Sequence, residues 1–161
     1  MIRRHHTTHL VFAALCFVYL SCSPSTKADT KDVKSKETTA SPYPALKNEE
    51  ITQLYAIADK VDIIFYNLPM SVNQDDAKSA KNTVLYISPA PAIISQPCKP
   101  LGRLSWISDG AIVQEADIYV STGCQYLLFM KGNQPVAANA MSETGIQFFT
   151  SVLNQVQQQM K

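Results

Sequence analysis

Few side chains in this sequence can carry proton or nucleophile chemistry. The three histidines, His5, His6 and His9, all precede the apolar run that begins at Leu10. From there on the chain lacks imidazole, the ordinary general base near neutral pH. A Ser-His-Asp triad, a Cys-His pair and a histidine zinc site are thereby excluded. Carboxylate pairs remain. Asp75 and Asp76 are adjacent, and Glu115 and Asp117 are two apart. The second spacing puts both groups on one face of a straight strand. Such pairs could do acid–base work, or simply line a solvated surface. Arg103, beside Gly102, could grip an anion. No glycine-rich phosphate loop or metal-ligand spacing accompanies them, so no metal or other cofactor is implied.

The aromatic residues are the second candidate. Tyr66, Tyr86, Trp106, Tyr119 and Tyr126 all fall on predicted strands. If several share the face away from the helices, they form a platform for a partner, because Tyr and Trp are enriched at interfaces. The alternative is that loops 69–82 and 89–102 cover them, or that some point into the core.

What must position these residues is a set of strands between two helices. Asn48 is a candidate N-cap, with Glu49 and Glu50 in the first turn, where the helix dipole favours acidic groups. Ile51, Leu54, Tyr55, Ala58 and Val61 recur at helical spacing, which predicts a helix over Glu49–Lys60. Asp62–Leu68 is β-branched and aromatic and reads as a strand ended by Pro69. Residues 70–82 are polar and read as a loop with at most one helical turn. Thr83–Ser88 reads as a second strand, and the four prolines of 89–102 make that stretch irregular.

Asp109-Gly110 between two β-like runs is the strongest local signal. Both central residues of a type I′ turn need positive φ, which this pair tolerates. In that register Ile107 faces Ile112 and Trp106 faces Val113. The second arm continues towards Ser121 or bends near Ala116. Gln125–Met130 is apolar on both faces and suits a central strand. Lys131–Gln134 turns the chain, and Pro135–Met141 returns along it. Ser142 caps a last helix whose stripe is Ile146, Phe149, Val152, Leu153 and Val156. The order is α-β-β-β-β-β-β-α without alternating βαβ units. It predicts an α+β domain with an antiparallel sheet of five or six strands and both terminal helices on one face.

The N-terminal stretch carries a different signal. Arg3 and Arg4 precede the apolar run Leu10–Leu20, which is shorter than the roughly 20 residues a membrane span needs. This fits a secretory signal peptide. The last residue of the run, Leu20, with Ser21 and Cys22 resembles a bacterial lipobox, with a small residue just before the cysteine. The resemblance covers residues 1–22. It implies cleavage before Cys22 and acylation of that cysteine, which would anchor the chain in membrane lipid. Residues 1–21 are then the signal peptide and 45–161 the folded domain. Residues 22–44 are a lipidated tether, since Ser, Thr, Lys, Asp and Pro cannot bury enough surface to fold. Such a segment has a root-mean-square reach of about 25 Å. Its lysines could lean on anionic headgroups, although a solvated linker is the plainer reading.

Export also assigns the cysteines. Cys16 leaves with the signal peptide and Cys22 carries lipid. Cys98 and Cys124 are left in an oxidising compartment, where we expect them to pair; the alternative is two separate buried thiols. Of the 14 basic side chains, removal of Arg3 and Arg4 leaves twelve against 13 acidic ones. That balance has no electrostatic footprint for nucleic acid. The sequence therefore points to a non-catalytic, lipid-anchored module of the bacterial cell envelope, in the outer membrane of a Gram-negative cell. Its role would be binding or assembly, with another envelope protein as a partner. The competing expectation is an envelope hydrolase or transferase that uses Asp75/Asp76 or Glu115/Asp117 without histidine.

Overall fold

A computed structural model describes residues 41–94 and 98–159 of the chain. The expected signal peptide and the expected lipidation site at Cys22 lie outside the described residues. The elements are α1 (Asn48–Ile57), β1 (Lys60–Phe65), β2 (Ser71–Gln74), α2 (Ala77–Val84) and β3 (Ile87–Pro91). They continue with β4 (Gly102–Ser108), β5 (Ala111–Tyr119), β6 (Tyr126–Lys131), β7 (Gln134–Met141) and α3 (Glu143–Gln159). The strands form one seven-stranded sheet in the order β2-β1-β4-β5-β6-β7-β3, antiparallel throughout. The fold is α+β as expected, with seven strands rather than five or six.

The extra elements come from the stretch that reads as a polar loop. Asp76 accepts the Ser79 backbone N–H at 2.9 Å and caps α2. Ala80, Thr83 and Val84 then lie on one buried stripe. This takes Thr83 and Val84 out of the predicted strand, because their β-branched side chains pack better on the sheet than in it. β2 is an edge strand, so its polar side chains cost little while its backbone pairs with β1. β3 is the other edge, where Pro89 and Pro91 are tolerated. α1 starts one residue early, because the Glu50 carboxylate accepts the Lys47 backbone N–H at 2.8 Å.

One face of the sheet is the core. Leu54 of α1, Ala80 and Val84 of α2 and Phe149 of α3 all join a single apolar cluster with sheet residues such as Ile63, Leu104, Ile118, Leu127 and Phe129. Trp106 is fully buried there; its indole Nε1–H donates to Thr83 Oγ1 at 2.7 Å. α3 comes close enough that a Cβ on Gly145 would lie 2.8 Å from the Cβ of Tyr86. Glycine permits that approach, and Tyr86 stacks on Phe148 with centroids 5.3 Å apart. Ser142 caps α3 through its Oγ, which accepts the Gly145 N–H at 3.3 Å.

The β4–β5 hairpin has the expected turn, with φ of 51° at Asp109 and 77° at Gly110. Its register differs on one side. Ile107 faces Ile112, but Trp106 faces Gln114, because a bulge between the two pairs leaves Val113 unpaired. Residues 41–44, expected to close the tether, pack on the domain instead. Tyr43 packs against the sheet, the Ser41 N–H donates to the Ala92 carbonyl and the Pro44 carbonyl accepts from Ala138. Buried Asn139 fixes the same junction, accepting from Leu46 N–H and donating to the Ser88 carbonyl.

Candidate functional site

Among the described residues no helix joins the cluster on the other face of the sheet, which divides into two halves. Along β5, Glu115, Asp117 and Tyr119 point to it, with Leu128, Met130 and Tyr126 opposite them on β6. At the Tyr119 end the face is closed. Tyr119 and Tyr126 stack as a cross-strand pair with ring centroids 4.3 Å apart. Tyr43, Ala92, Ile94 and Cys98 lie over them. The Cys98–Cys124 disulfide holds that cover, as the sequence predicts. Tyr126 is 3% exposed, and burial, with Tyr119 beside it, pushes its phenol up to about 12. Burial raises the Tyr119 phenol in the same direction, with help from Asp117 and Tyr43.

In the open half, Glu115 and Asp117 do share one face, and Arg103 of β4 sits against both. Arg103 Nε–H donates to Asp117 Oδ1 at 2.8 Å, and Nη1 lies 4.0 Å from Glu115 Oε1. Tyr66 O–H donates to the same Asp117 Oδ1 at 2.8 Å, and Ser105 O–H reaches Glu115 at 3.3 Å. Asp117 is a buried carboxylate with both a cation and a hydroxyl on it, which offsets its desolvation. The hydrogen bond to Asp117 raises the Arg103 guanidinium. Burial, then donation to Asp117, raises the Tyr66 phenol.

Beyond Glu115 the face becomes apolar. A hollow of about 320 Å³ is lined by Ile112, Val113, Met130 and Val136, with Glu115 and Lys131 on its walls. Two bulges create it. Val113 is the extra residue of β5, and Val136 that of β7, where Phe129 pairs with Ala137 but Met130 with Pro135. A bulge re-aims the side chain it inserts, and both valines are exposed. Ile112, next to them, is 59% exposed. The hairpin tip that carries it is held by Asp59, whose Oδ2 accepts the Asp109 N–H at 3.0 Å.

The five aromatic candidates therefore do not make one platform. Trp106 and Tyr86 are in the helix-side core, Tyr119 and Tyr126 are under the stapled cover, and Tyr66, 47% exposed, is on the open half alone. Strand alternation sends Trp106 to the core side, and Tyr86 stands before β3 rather than on a strand. Asp75 and Asp76 also part: Asp75 lies 3.8 Å from Lys60, and Asp76 caps α2. The Ser79 hydrogen bonds hold the Asp76 carboxyl below its usual range. Sequence reasoning missed Val113 and Val136. The only local sign was a strand-like run one residue too long for its partner.

A second hollow, on the helix side, is lined by Ile51, Tyr55, Leu85 and Ile87 between α1 and the end of α2. Among the described residues no group of three or more His, Cys, Asp or Glu side chains could hold a metal ion. No helix among them is long and apolar enough to cross a membrane. Comparison with protein families, with curated proteins and with solved structures gave no match to this chain.

Proposed function

We propose that this protein is a non-catalytic binding or assembly module, held in the cell envelope by lipid on Cys22, and that it works through the open half of its sheet. The observation that carries the reading is the contrast within one face. Half is closed by a disulfide-held cover, while the other half leaves Ile64, Ile112, Val113 and Val136 exposed around a polar centre. Isolated exposed aliphatics are ordinary, but three of these four line one hollow, which is how interaction sites differ from the rest of a surface.

Glu115 and Asp117 sharing a face is the one point in favour of a carboxylate-based hydrolase or transferase. Against it, Arg103 lies across both groups, and Asp117 Oδ1 already accepts two hydrogen bonds. A free pair of carboxylates aimed into a cleft would favour the enzyme; here only Glu115 borders the hollow, and Asp117 is held by Arg103 and Tyr66.

Two experiments test the proposal. A fatty-acid probe fed to cells should label the wild-type chain and not Cys22→Ala; equal labelling of both would remove the anchor. A photo-cross-linking residue at Ile112 should then capture a protein in cells, and one at Gln157 on the outer side of α3 should not. Absence of any adduct at Ile112 would remove the docking face.

A further inference from the structure

We propose that the polar part of the open half-face, across β2, β1, β4 and β5, is a binding site for a neutral saccharide chain, with Tyr66 as its stacking plate. The inference goes beyond the docking hollow and uses none of its aliphatic residues. Its basis is a row and a ring. Asn73 stands opposite Asp62, Asp62 opposite Ser105 and Ser105 opposite Glu115, so one polar residue from each of four strands falls on a single line. Directly opposed residues share a face, and the alternate residues Val61, Ile63, Leu104 and Ala116 lie in the helix-side core. None of the four in the row is buried. Adjacent strands are about 4.8 Å apart, so the row runs about 14 Å across the sheet.

The ring is Tyr66, laid down beside that row. Tyr66 directly follows β1, and its backbone N–H donates to the Leu101 carbonyl at 3.0 Å. Its hydroxyl reaches Asp117 of β5 at 2.8 Å, two residues along the strand from Glu115. β4 separates β1 from β5, so the side chain has to cross it. A phenol pinned at both ends across a strand turns one face to the sheet and the other to solvent, and Tyr66 is 47% exposed. A plate fixed in advance loses little side-chain freedom when a ligand stacks on it.

The chemistry of the row selects the ligand. Carboxylates predominate, with Asp62 and Glu115 in the row and Asp117 at the tip of the ring, against one guanidinium, Arg103. An ionised carboxylate accepts hydrogen bonds and donates none, with room for about four. Asp62 holds the Asn73 amide; Glu115 holds the Ser105 hydroxyl at 3.3 Å and has Arg103 at 4.0 Å. Both carboxylates keep contact with solvent and so keep acceptor capacity. A fitting ligand brings many donors, no negative charge and an apolar face for the ring. A neutral saccharide supplies all three: its hydroxyls donate around the rim, and its C–H bonds form a flat apolar side. A phosphate or a uronic acid meets a surplus of carboxylates and is repelled. A protein surface offers hydroxyls singly rather than in a row.

The test is isothermal titration of the full chain with cellohexaose, chitohexaose and maltohexaose, and with an acidic oligogalacturonate for comparison. At least one neutral chain should bind, and the acidic one should bind about tenfold more weakly, because like charges oppose each other at a contact. Tyr66→Ala should weaken binding by about tenfold, through loss of the stacking plate. Asn73→Ala should weaken it about threefold, as loss of one hydrogen bond does. Asn73 is exposed on an edge strand, so its variant reads out the site even if Tyr66→Ala disturbs Asp117. Gln157→Ala on α3 should change nothing. No binding of any neutral chain, preference for the acidic one, or unchanged affinity in both Tyr66→Ala and Asn73→Ala would each overturn the inference. A cross-linker at Tyr66 that captures a protein while no saccharide binds would overturn it too, and would extend the docking face to this patch. Saccharide binding without any adduct at Ile112 would remove the docking face and leave this site standing.

Discussion

The two halves of the sheet face opposite the described helices use the same central strands and end in opposite states. On the closed half, Tyr119 and Tyr126 are stacked, buried and roofed by Tyr43, Ala92, Ile94 and Cys98. On the open half, farther along β5, Glu115 is only loosely held and Ile112 is mostly exposed. Strand propensity cannot account for the contrast, since β5 and β6 run through both. What differs is cover from segments distant in sequence, fixed by one disulfide across 26 residues. A sheet face is thus structural or available according to what the connecting loops do.

That comparison is most easily broken from the closed side. Tyr126→Ala should cost about 3–5 kcal/mol, as loss of a buried aromatic does. Tyr86→Ala and Tyr119→Ala belong to the same class, since both residues are buried. A thermal melt showing little loss for Tyr126→Ala would mean that the cover is not a packed core.

Removing the staple comes next. Cys98→Ser with Cys124→Ser should cost about 3 kcal/mol in the loop-entropy model. The loss should fall on the closed half, leaving the Tyr66–Asp117–Arg103 contacts intact. Backbone hydrogen exchange can check this: faster exchange should appear at Tyr119 and Tyr126 and not at Arg103.

Alkali should reveal the same asymmetry more gently. Tyr126 is raised from 10.0 to about 12 in the folded chain, so the folded state holds its proton where the unfolded state releases it. The stability it contributes is complete below pH 10 and is lost as pH rises through about 12. Denaturant midpoints measured across that window should fall, and less steeply in Tyr126→Phe.

The smallest effect is expected on the open side. Ile112→Ser should change stability by no more than about 0.5 kcal/mol, because the side chain is exposed and makes no core contact. It should nevertheless weaken capture of a partner. A large drop in melting temperature would place Ile112 in the fold rather than in a site.

Parts of this contrast are legible in the chain itself. Asp109-Gly110 announces its turn, because few residue pairs accept positive φ at both positions. The Cys98–Cys124 bridge is the pairing left once the expected signal and lipobox-like run are set aside, and the shared face of Glu115 and Asp117 follows from strand alternation. The terminal helices show in their apolar spacing. The rest is non-local. Val84 reads as strand until the Asp76 cap and the sheet beneath α2 are known. Val113 and Val136 cannot be identified as bulged without knowing their partner strands. Which tyrosines are covered depends on Gly145, Tyr43, Ala92, Ile94 and Cys98, none of them sequence neighbours of the rings they bury.

Hydroxyl-radical footprinting tests the central claim most directly, comparing the purified chain with the same chain in intact cells. In the purified monomer Tyr66, Ile112 and Val136 should be labelled, and Tyr119 and Tyr126 should not. In cells the labelling of Ile112 and Val136 should drop, because a partner covers them, while the two buried tyrosines stay silent in both. Equal labelling of Ile112 and Val136 in the two states, or ready labelling of Tyr126 in the native chain, would contradict the division of the face into a closed half and a working half.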